Sequence, residues 1–341
     1  MPDAPDPDTD LVAAHTTVDA GSIARRVERH HGLSVRRCHL LRRNLNDNYA
    51  LQADDGTRYV ARLYAIRPRG EPNVDFEAAL LSHLDARGAG VAAMVPALDG
   101  HPSVSLRCPE GPRPLALFQH VPGSVPDTEA DFALTGAELA RIHRAARDYA
   151  GPPSRYPLDG PRLAGRALRS LQAHPELDPA LVDTFDGVVR RLLEEWAEVA
   201  DTLSTVLCHG DTHGFNNHVF DEGTGTRRTV FFDFDDAGPG CLAYDLCVMP
   251  WSYLYRKGLE SPDDTLRERW AGYVGAYRDA GGEVTDSDLA AIPLCLQLRH
   301  LWNIGEGVAR VHHWGAMMMS ADWLRRQPGV CEAWRSLDLR V

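Results

Sequence analysis

The residues with the most evident chemistry lie between Leu207 and Leu246, in the stretch LCHGDTHGFNNHVFDEGTGTRRTVFFDFDDAGPGCLAYDL. Asp211 follows a short apolar run, and Asn216 comes five residues later. Asp233 ends a second apolar run, TVFF, so its carboxylate is expected to emerge at a sheet edge. An Asp, an Asn and a second Asp on adjacent loops make a set of hard oxygen donors suited to Mg2+ and phosphates. His209, His213 and His218 are close enough to raise zinc as a rival, but no HExxH or Cys/His spacing accompanies them. Loop histidines this near one another are more often hydrogen-bonded scaffold.

The elements that must hold these groups change character along the chain. Asp19–His31 has a helical pattern stopped by Gly32. Val35–Arg43 and Tyr49–Ala53 read as strands, and Asp54-Asp55-Gly56 as a hairpin turn leading to a third strand, Arg58–Tyr64. A helix from Val74 ends at Gly88, and strands follow near Met94–Leu98, Val104–Leu106 and Leu115–Val121. From Thr128 helices dominate: Thr128–Arg147, Arg162–His174, Pro179–Thr202, and nearly everything from 243 to Gln327. Strands are expected there only at Val206–Leu207, His218–Phe220 and Thr229–Phe234. The expected organisation is a disordered leader over 1–15, a β-rich lobe over 16–122 and a helical lobe over 123–341, an α+β class.

Composition narrows the partners. At about 150 residues per domain, 341 residues fit two lobes. The formal charge of −12 argues against broad nucleic-acid binding. No apolar run nears the ~20 residues of a membrane span, and the N-terminus, MPDAPDPDTD, is acidic where a secretory signal begins basic. Seven cysteines without a CxxC pair fit reduced thiols. The expected location is the cytoplasm, with neither a nucleic acid nor a membrane as partner. Of the 36 basic residues, Lys257 is the only lysine.

Two family resemblances compete for the motif. GDTHG at Gly210–Gly214 resembles the GDxHG box of metallophosphoesterases, but that family's second GDxxD box and GNHE-type box are missing. His-x-Asp-x-x-x-x-Asn followed by a strand ending in Asp resembles the catalytic loop and metal-binding Asp of the protein-kinase-like fold. HGDTHGFN with FDFDDAGPG and YDL is similar to the aminoglycoside phosphotransferase/choline kinase superfamily, near its type II homoserine kinase and stress-response kinase branch. The likeness covers most of residues 33–250.

That resemblance implies a two-lobed kinase fold with a small N-lobe for nucleotide and a larger C-lobe for catalysis and the acceptor. Asp211 would orient the acceptor hydroxyl, His213 would lie near the transferred phosphate, and Asn216 and Asp233 would hold Mg2+. His209 would brace the loop, and Asp245 would bond loop backbone or His209. Gly210, where regulated protein kinases carry an Arg, implies a constitutively assembled site. RNLNDNYAL resembles the family's nucleotide loop, with the amides of Asn46, Asp47 and Asn48 capping phosphates. Leu117–Val121, with Gln119 and Val121, would be the hinge against the purine. The family's third-strand basic residue falls on Arg62 and its helix partner on Glu77. Alone, these two read as an outward strand residue and an exposed helix charge; beside the motif they read as a pair. Asp235, and the helical series Arg299, Trp302, Asn303 and Glu306, are candidates for the acceptor pocket, against a helix–helix interface.

The implied reaction moves the γ-phosphate of ATP or GTP to a hydroxyl of a small molecule. The acceptor expected is an antibiotic or other natural product inactivated by its producer. The alternatives are a metabolic kinase for homoserine, hydroxylysine or a similar amino alcohol, a nucleotide-binding pseudokinase, and a metallophosphoesterase. With Lys257 beyond the metal-binding Asp, a working kinase must grip the nucleotide phosphates with Arg62.

Overall fold

Alternating apolar residues in the first hundred positions build an antiparallel sheet in the computed structural model, which describes residues 13–67, 70–223 and 225–339. Residues 1–12 of the expected leader lie outside the described residues. Contacts divide the chain into two units, Met1–Val74 with Ala93–His120, and Asp75–Ala92 with Val121–Val341.

In the first unit, helix α1 (Ala20–His31) is capped by the Asp19 side chain, which accepts from the Ser22 amide, and stops at Gly32. The strands are β1 (Val35–Arg43), β2 (Asp47–Ala53), β3 (Arg58–Leu63), β4 (Met94–Val95), β5 (Val104–Cys108) and β6 (Gly111–Gln119). Their order is β1-β2-β3-β6-β4, with β5 also paired to β6. Ile23 and Val27 of α1 pack on Tyr49, Leu51, Ala61, Leu63, Leu115 and Leu117.

The period of two along β2 turns Asp47 to the same buried face as Tyr49 and Leu51. A carboxylate there needs a partner, and Arg113 of β6 supplies it at 2.8 Å, both side chains being fully buried. The same guanidinium donates to the Tyr64 and Leu63 carbonyls. Burial pushes the Asp47 carboxyl up, but His15 and Arg113 outweigh it and hold it below the usual range.

In the second unit, α2 (Val74–Asp85) precedes α3 (Glu129–Ala145), α4 (Gly160–Gln172) and α5 (Pro179–Val199). Two antiparallel pairs follow: β7 (Thr205–Cys208) with β10 (Gly238–Cys241), and between them the hairpin of β8 (Asn217–Asp221) with β9 (Arg227–Phe231). The chain ends in α6 (Leu242–Lys257), α7 (Asp264–Asp279), α8 (Asp286–Ala290), α9 (Ile292–Val308), α10 (Val311–Trp314) and α11 (Ala321–Arg335). α3 lies so close to α7 that a Cβ on Gly136 would meet the Tyr273 carbonyl oxygen at 2.0 Å.

Two local expectations change. β10, sequence GPGC, has no strand propensity and forms because its backbone pairs with β7, Gly238 opposite Cys208 and Cys241 opposite Thr205. The last helix does not stop at Gln327. It continues through Pro328, because the turn beyond buries Cys331 and Trp334, whose indole donates to the Leu259 carbonyl at 3.0 Å.

Arg113→Met leaves Asp47 as a buried charge without its main partner. The expected loss is about 3–5 kcal/mol, read as a lower urea midpoint with an unchanged slope. A loss under about 1 kcal/mol would show that His15 alone suffices.

Candidate active site

β7 delivers the chain into the loop 209–216, and the loop is pinned from beneath by Asp245, one turn into α6. The Asp245 carboxylate accepts from the His209 and Gly210 amides, both at 2.8 Å. Its backbone carbonyl accepts from the Thr212 hydroxyl at 2.6 Å. His143 of α3 stands behind it, with Nε2 2.9 Å from Asp245 and Nδ1 2.9 Å from the Tyr277 hydroxyl. Burial raises the Asp245 carboxyl, but His143, His209 and the Gly210 amide more than offset this, so it stays ionised. Gly210 has φ 84° and approaches Asp236 so closely that a Cβ would lie 2.4 Å from its carbonyl oxygen. The backbone itself therefore demands glycine at this position.

His209 is fully buried and scaffolds the loop as expected. Its Nδ1 accepts from the Asp211 amide at 3.2 Å and its Nε2 donates to the Phe232 carbonyl at 3.1 Å. Burial lowers the imidazole's proton affinity despite Asp245 and Asp211 nearby, which fits the neutral tautomer these partners require.

Asp211 is held on both oxygens. Asn216 Nδ2 donates to its Oδ2 at 2.9 Å and to its backbone carbonyl at 3.0 Å. His213 Nε2 is 3.4 Å from Oδ2. Arg299 of α9 pairs with Oδ1 and donates to the Gly210 carbonyl at 3.1 Å. The Arg299 guanidinium lies 4.6 Å from the Trp251 ring centroid and 4.1 Å from that of Trp302. Burial opposes ionisation of Asp211, but Arg299, His213 and His209 hold its carboxyl well below the usual range. The Asp211 side chain keeps 14% exposure while Arg299 has 2%, so the acid is reachable and its clamp is not.

Arg299 thus has a different partner from the acceptor expected for it, and Trp302 serves as the platform for its guanidinium. Glu306 is turned away into Arg310, at 2.6 Å, and Arg166 of α4. These contacts are those of a helix interface. The pairing of Arg299 with Asp211 has no sequence signal, since the two are 88 residues apart. His143 has none either, being a lone histidine on the apolar face of α3.

Asp233 lies two residues beyond β9, not at its end, with φ 71°, the one non-glycine residue in the left-handed region among those described. The Phe232 amide donates to the Asn216 carbonyl at 2.9 Å and ties the two loops together next to it. Asn216 Nδ2 is committed to Asp211, which directs its amide oxygen away as a hard donor. Asp235 is buried in the short 3-10 turn Phe234–Asp236.

In the smaller unit, Asn48 and Arg62 are cross-strand neighbours on β2 and β3. Arg62 is 5% exposed, so it is no solvated strand residue, and its guanidinium lies 4.6 Å from the Phe118 centroid. Glu77, in the larger unit, is likewise fully buried. Asn46 Oδ1 accepts from the Ala65 amide at 3.1 Å. Asp47 and Asn48 lie within β2, paired on both sides, and the Asp47 carboxylate is spent on Arg113. The Gln119 amide donates to Ala93, and the Val121 carbonyl accepts from His218. Lys257 is at the exposed end of α6, its ammonium donating to the Tyr253 hydroxyl.

A family model described as "Phosphotransferase enzyme family" matches residues 39–281. An uncharacterised protein of Deinococcus radiodurans is 34% identical over 305 residues, 89% of this chain and 86% of that one. A homoserine kinase of Cupriavidus pinatubonensis is 33% identical over 184 residues, half of each chain. Among solved structures, an amicoumacin kinase in complex with AMP-PNP, Ca2+ and Ami superposes with a TM-score of 0.74 at 20% identity, covering 94% of this chain and 96% of that one. A microcompartment-associated aminopropanol kinase gives 0.67 at 23%, covering 92% and 95%. The fold is the two-lobed protein-kinase-like α+β fold of these proteins.

Replacing Asp245 by Ala frees two buried amides and strands His143, at an expected cost of about 3–5 kcal/mol. Because the folded carboxyl titrates below its usual range, its stabilising contribution is complete above that range and is lost as pH falls through it. Asp245→Asn should therefore flatten the stability profile below about pH 4, the ordinary aspartate range, measured by urea unfolding at each pH. An unchanged profile would move the acid-sensitive group elsewhere.

Proposed function

This chain belongs to the phosphotransferase enzyme family, and on that premise we propose that it moves the γ-phosphate of ATP or GTP to a hydroxyl of a small molecule. The observation that carries the reading is Asp211: a reachable carboxylate, ionised and held on both oxygens by buried partners. Phosphoryl transfer passes through a loose transition state, so the protein contributes mainly position and charge. With its proton affinity this low, Asp211 acts chiefly by accepting a hydrogen bond from the acceptor hydroxyl and orienting its lone pair toward phosphorus. The proton passes to the Asp211 carboxylate late, when bonding to phosphorus has made the oxygen acidic.

Asn216 and Asp233 are the residues that would hold Mg2+, an amide and a carboxylate oxygen on tied loops, which fits a hard cation. Bound there, Mg2+ would supply neutralisation of the phosphate oxygens. Arg62 is the residue we assign to the nucleotide phosphates in place of a lysine, and Glu77 is its proposed partner. Asn46, Asp47, Asn48, Gln119 and Val121 are the further residues we assign to the nucleotide. His213 would steady Asp211 and reach the transferred group. A phosphoesterase with two metals would need clustered His and Asp ligands, and among the described residues no three His, Cys, Asp or Glu side chains are placed to hold a metal ion.

For the acceptor, we favour a polar natural product such as an antibiotic, a reading supported by likeness to the amicoumacin kinase. A second reading, an amino alcohol of the homoserine kind, is supported by 33% identity to a homoserine kinase over half of each chain. A panel of hydroxyl compounds of both classes, incubated with Mg2+ and γ-labelled ATP or GTP, separates them by which product carries label. Release of phosphate from simple phosphoesters without nucleotide would overturn the kinase reading.

Asp211→Ala should lower kcat on the order of 10²-fold or more while leaving nucleotide affinity near wild type. Barely altered turnover would remove Asp211 from the reaction. Arg62→Ala should raise the nucleotide KM about tenfold or more, and a KM within twofold of wild type would return Arg62 to a packing role.

A further inference from the structure

The smaller unit carries a charge concentration that phosphoryl transfer does not use. Between Ala20 and Arg43 seven arginines stand against one carboxylate, Glu28, in a chain whose net charge is −12. Arg25, Arg26 and Arg29 project from α1, and Arg36, Arg37, Arg42 and Arg43 from β1, all exposed. The Glu28 carboxylate is occupied by the Val35 amide. None of the seven has an ion pair among the described residues, and Arg25 alone has a polar partner, the Ser22 hydroxyl. Elsewhere arginines are repeatedly paired, as Arg87 is with Asp148 and Arg228 with Glu222.

Two ordinary explanations fall short. Arg-for-Lys coding bias changes which basic residue appears, not how many gather in one segment. Charge on an edge strand guards against pairing with another chain, and β1 is an edge, but that need does not reach the three arginines of α1. The strand also carries Leu40 and Leu41, 39% and 58% exposed, between its two arginine pairs.

We propose that α1 and β1 form a docking surface for an anionic lipid surface, with the arginines on headgroup phosphates and Leu40 and Leu41 entering the boundary below them. Basic residues are drawn to the negative potential of such a leaflet, and apolar tips between them add burial there. No helix among the described residues is long and apolar enough to cross a membrane, so the contact is peripheral. The other polyanions fit less well. Single-stranded nucleic acid is gripped by exposed aromatics on which bases stack, and the patch exposes leucines instead. An acidic peptide added as a strand needs a regular edge, whereas β1 has register shifts at Val35/Arg37 and Leu40/Arg42.

The test is sedimentation of the full chain with phosphatidylcholine vesicles, with and without phosphatidylglycerol, at low and high salt. Binding is expected only to the anionic vesicles, weakened by salt. It should fall at least tenfold in the quadruple variant Arg25→Glu/Arg26→Glu/Arg36→Glu/Arg37→Glu, whose four positions are exposed and lie outside the nucleotide loop that begins at Arg43. Leu40→Ser/Leu41→Ser, which leaves the charge intact, should weaken it separately. Three outcomes overturn the proposal: no sedimentation of wild type, undiminished binding by either variant, or tighter binding to DNA than to the anionic vesicles. Each variant is checked by its unfolding temperature and by its kinase turnover in solution, neither of which should change.

Discussion

The grip on the loop from His209 to Asp211 is what the rest of the larger unit is arranged around. Asp245 takes two consecutive amides from below, and Arg299 takes the Gly210 carbonyl and the Asp211 carboxylate from the side. Each would be costly alone, since an unpaired buried charge loses its hydration without return. Together with His143 and the flanking tryptophans the two charges are partnered, and the loop is held from below and from the side. α3, α6 and α9 each contribute one of these groups, so packing of those helices and geometry of the site are the same constraint.

That constraint explains features that otherwise read as regulation or substrate recognition. Gly210 is glycine because Asp236 approaches the backbone there, an account that needs no reference to control by phosphorylation. Arg299 lies in the right region for an acceptor contact, but at 2% exposure it acts through Asp211. Its effect is to keep the carboxylate ionised and aimed, which suits a reaction that asks for orientation before proton removal.

Much of this was legible in the sequence, and the limit is physical. Asp211, Asn216 and Asp245 are found because their spacing on one loop and one helix start is local. The strands of the smaller unit follow from alternation, and the single lysine directs attention to Arg62. The contacts that could not be read are those made across long separations. Arg299 meets Asp211 from a helix far along the chain, and Asp47 looked like a loop residue until β6 supplied Arg113. β10 has no propensity of its own and exists through pairing, and α11 passes Pro328 because Trp334 has a buried place to go. Asp233 was expected at a strand end, and the left-handed turn that carries it two residues further leaves no mark in composition.

The central claim is that Arg299 and Asp211 work as a unit, and a double-mutant cycle on turnover tests it most directly. kcat for phosphoryl transfer would be measured for wild type, Arg299→Met, Asp211→Asn and the double variant, with nucleotide affinity followed in parallel. If Arg299 acts through Asp211, the double variant should be no slower than Asp211→Asn alone, within about threefold. Losses that multiply, with the double variant slower by the product of the two single effects, would show that Arg299 serves something other than Asp211.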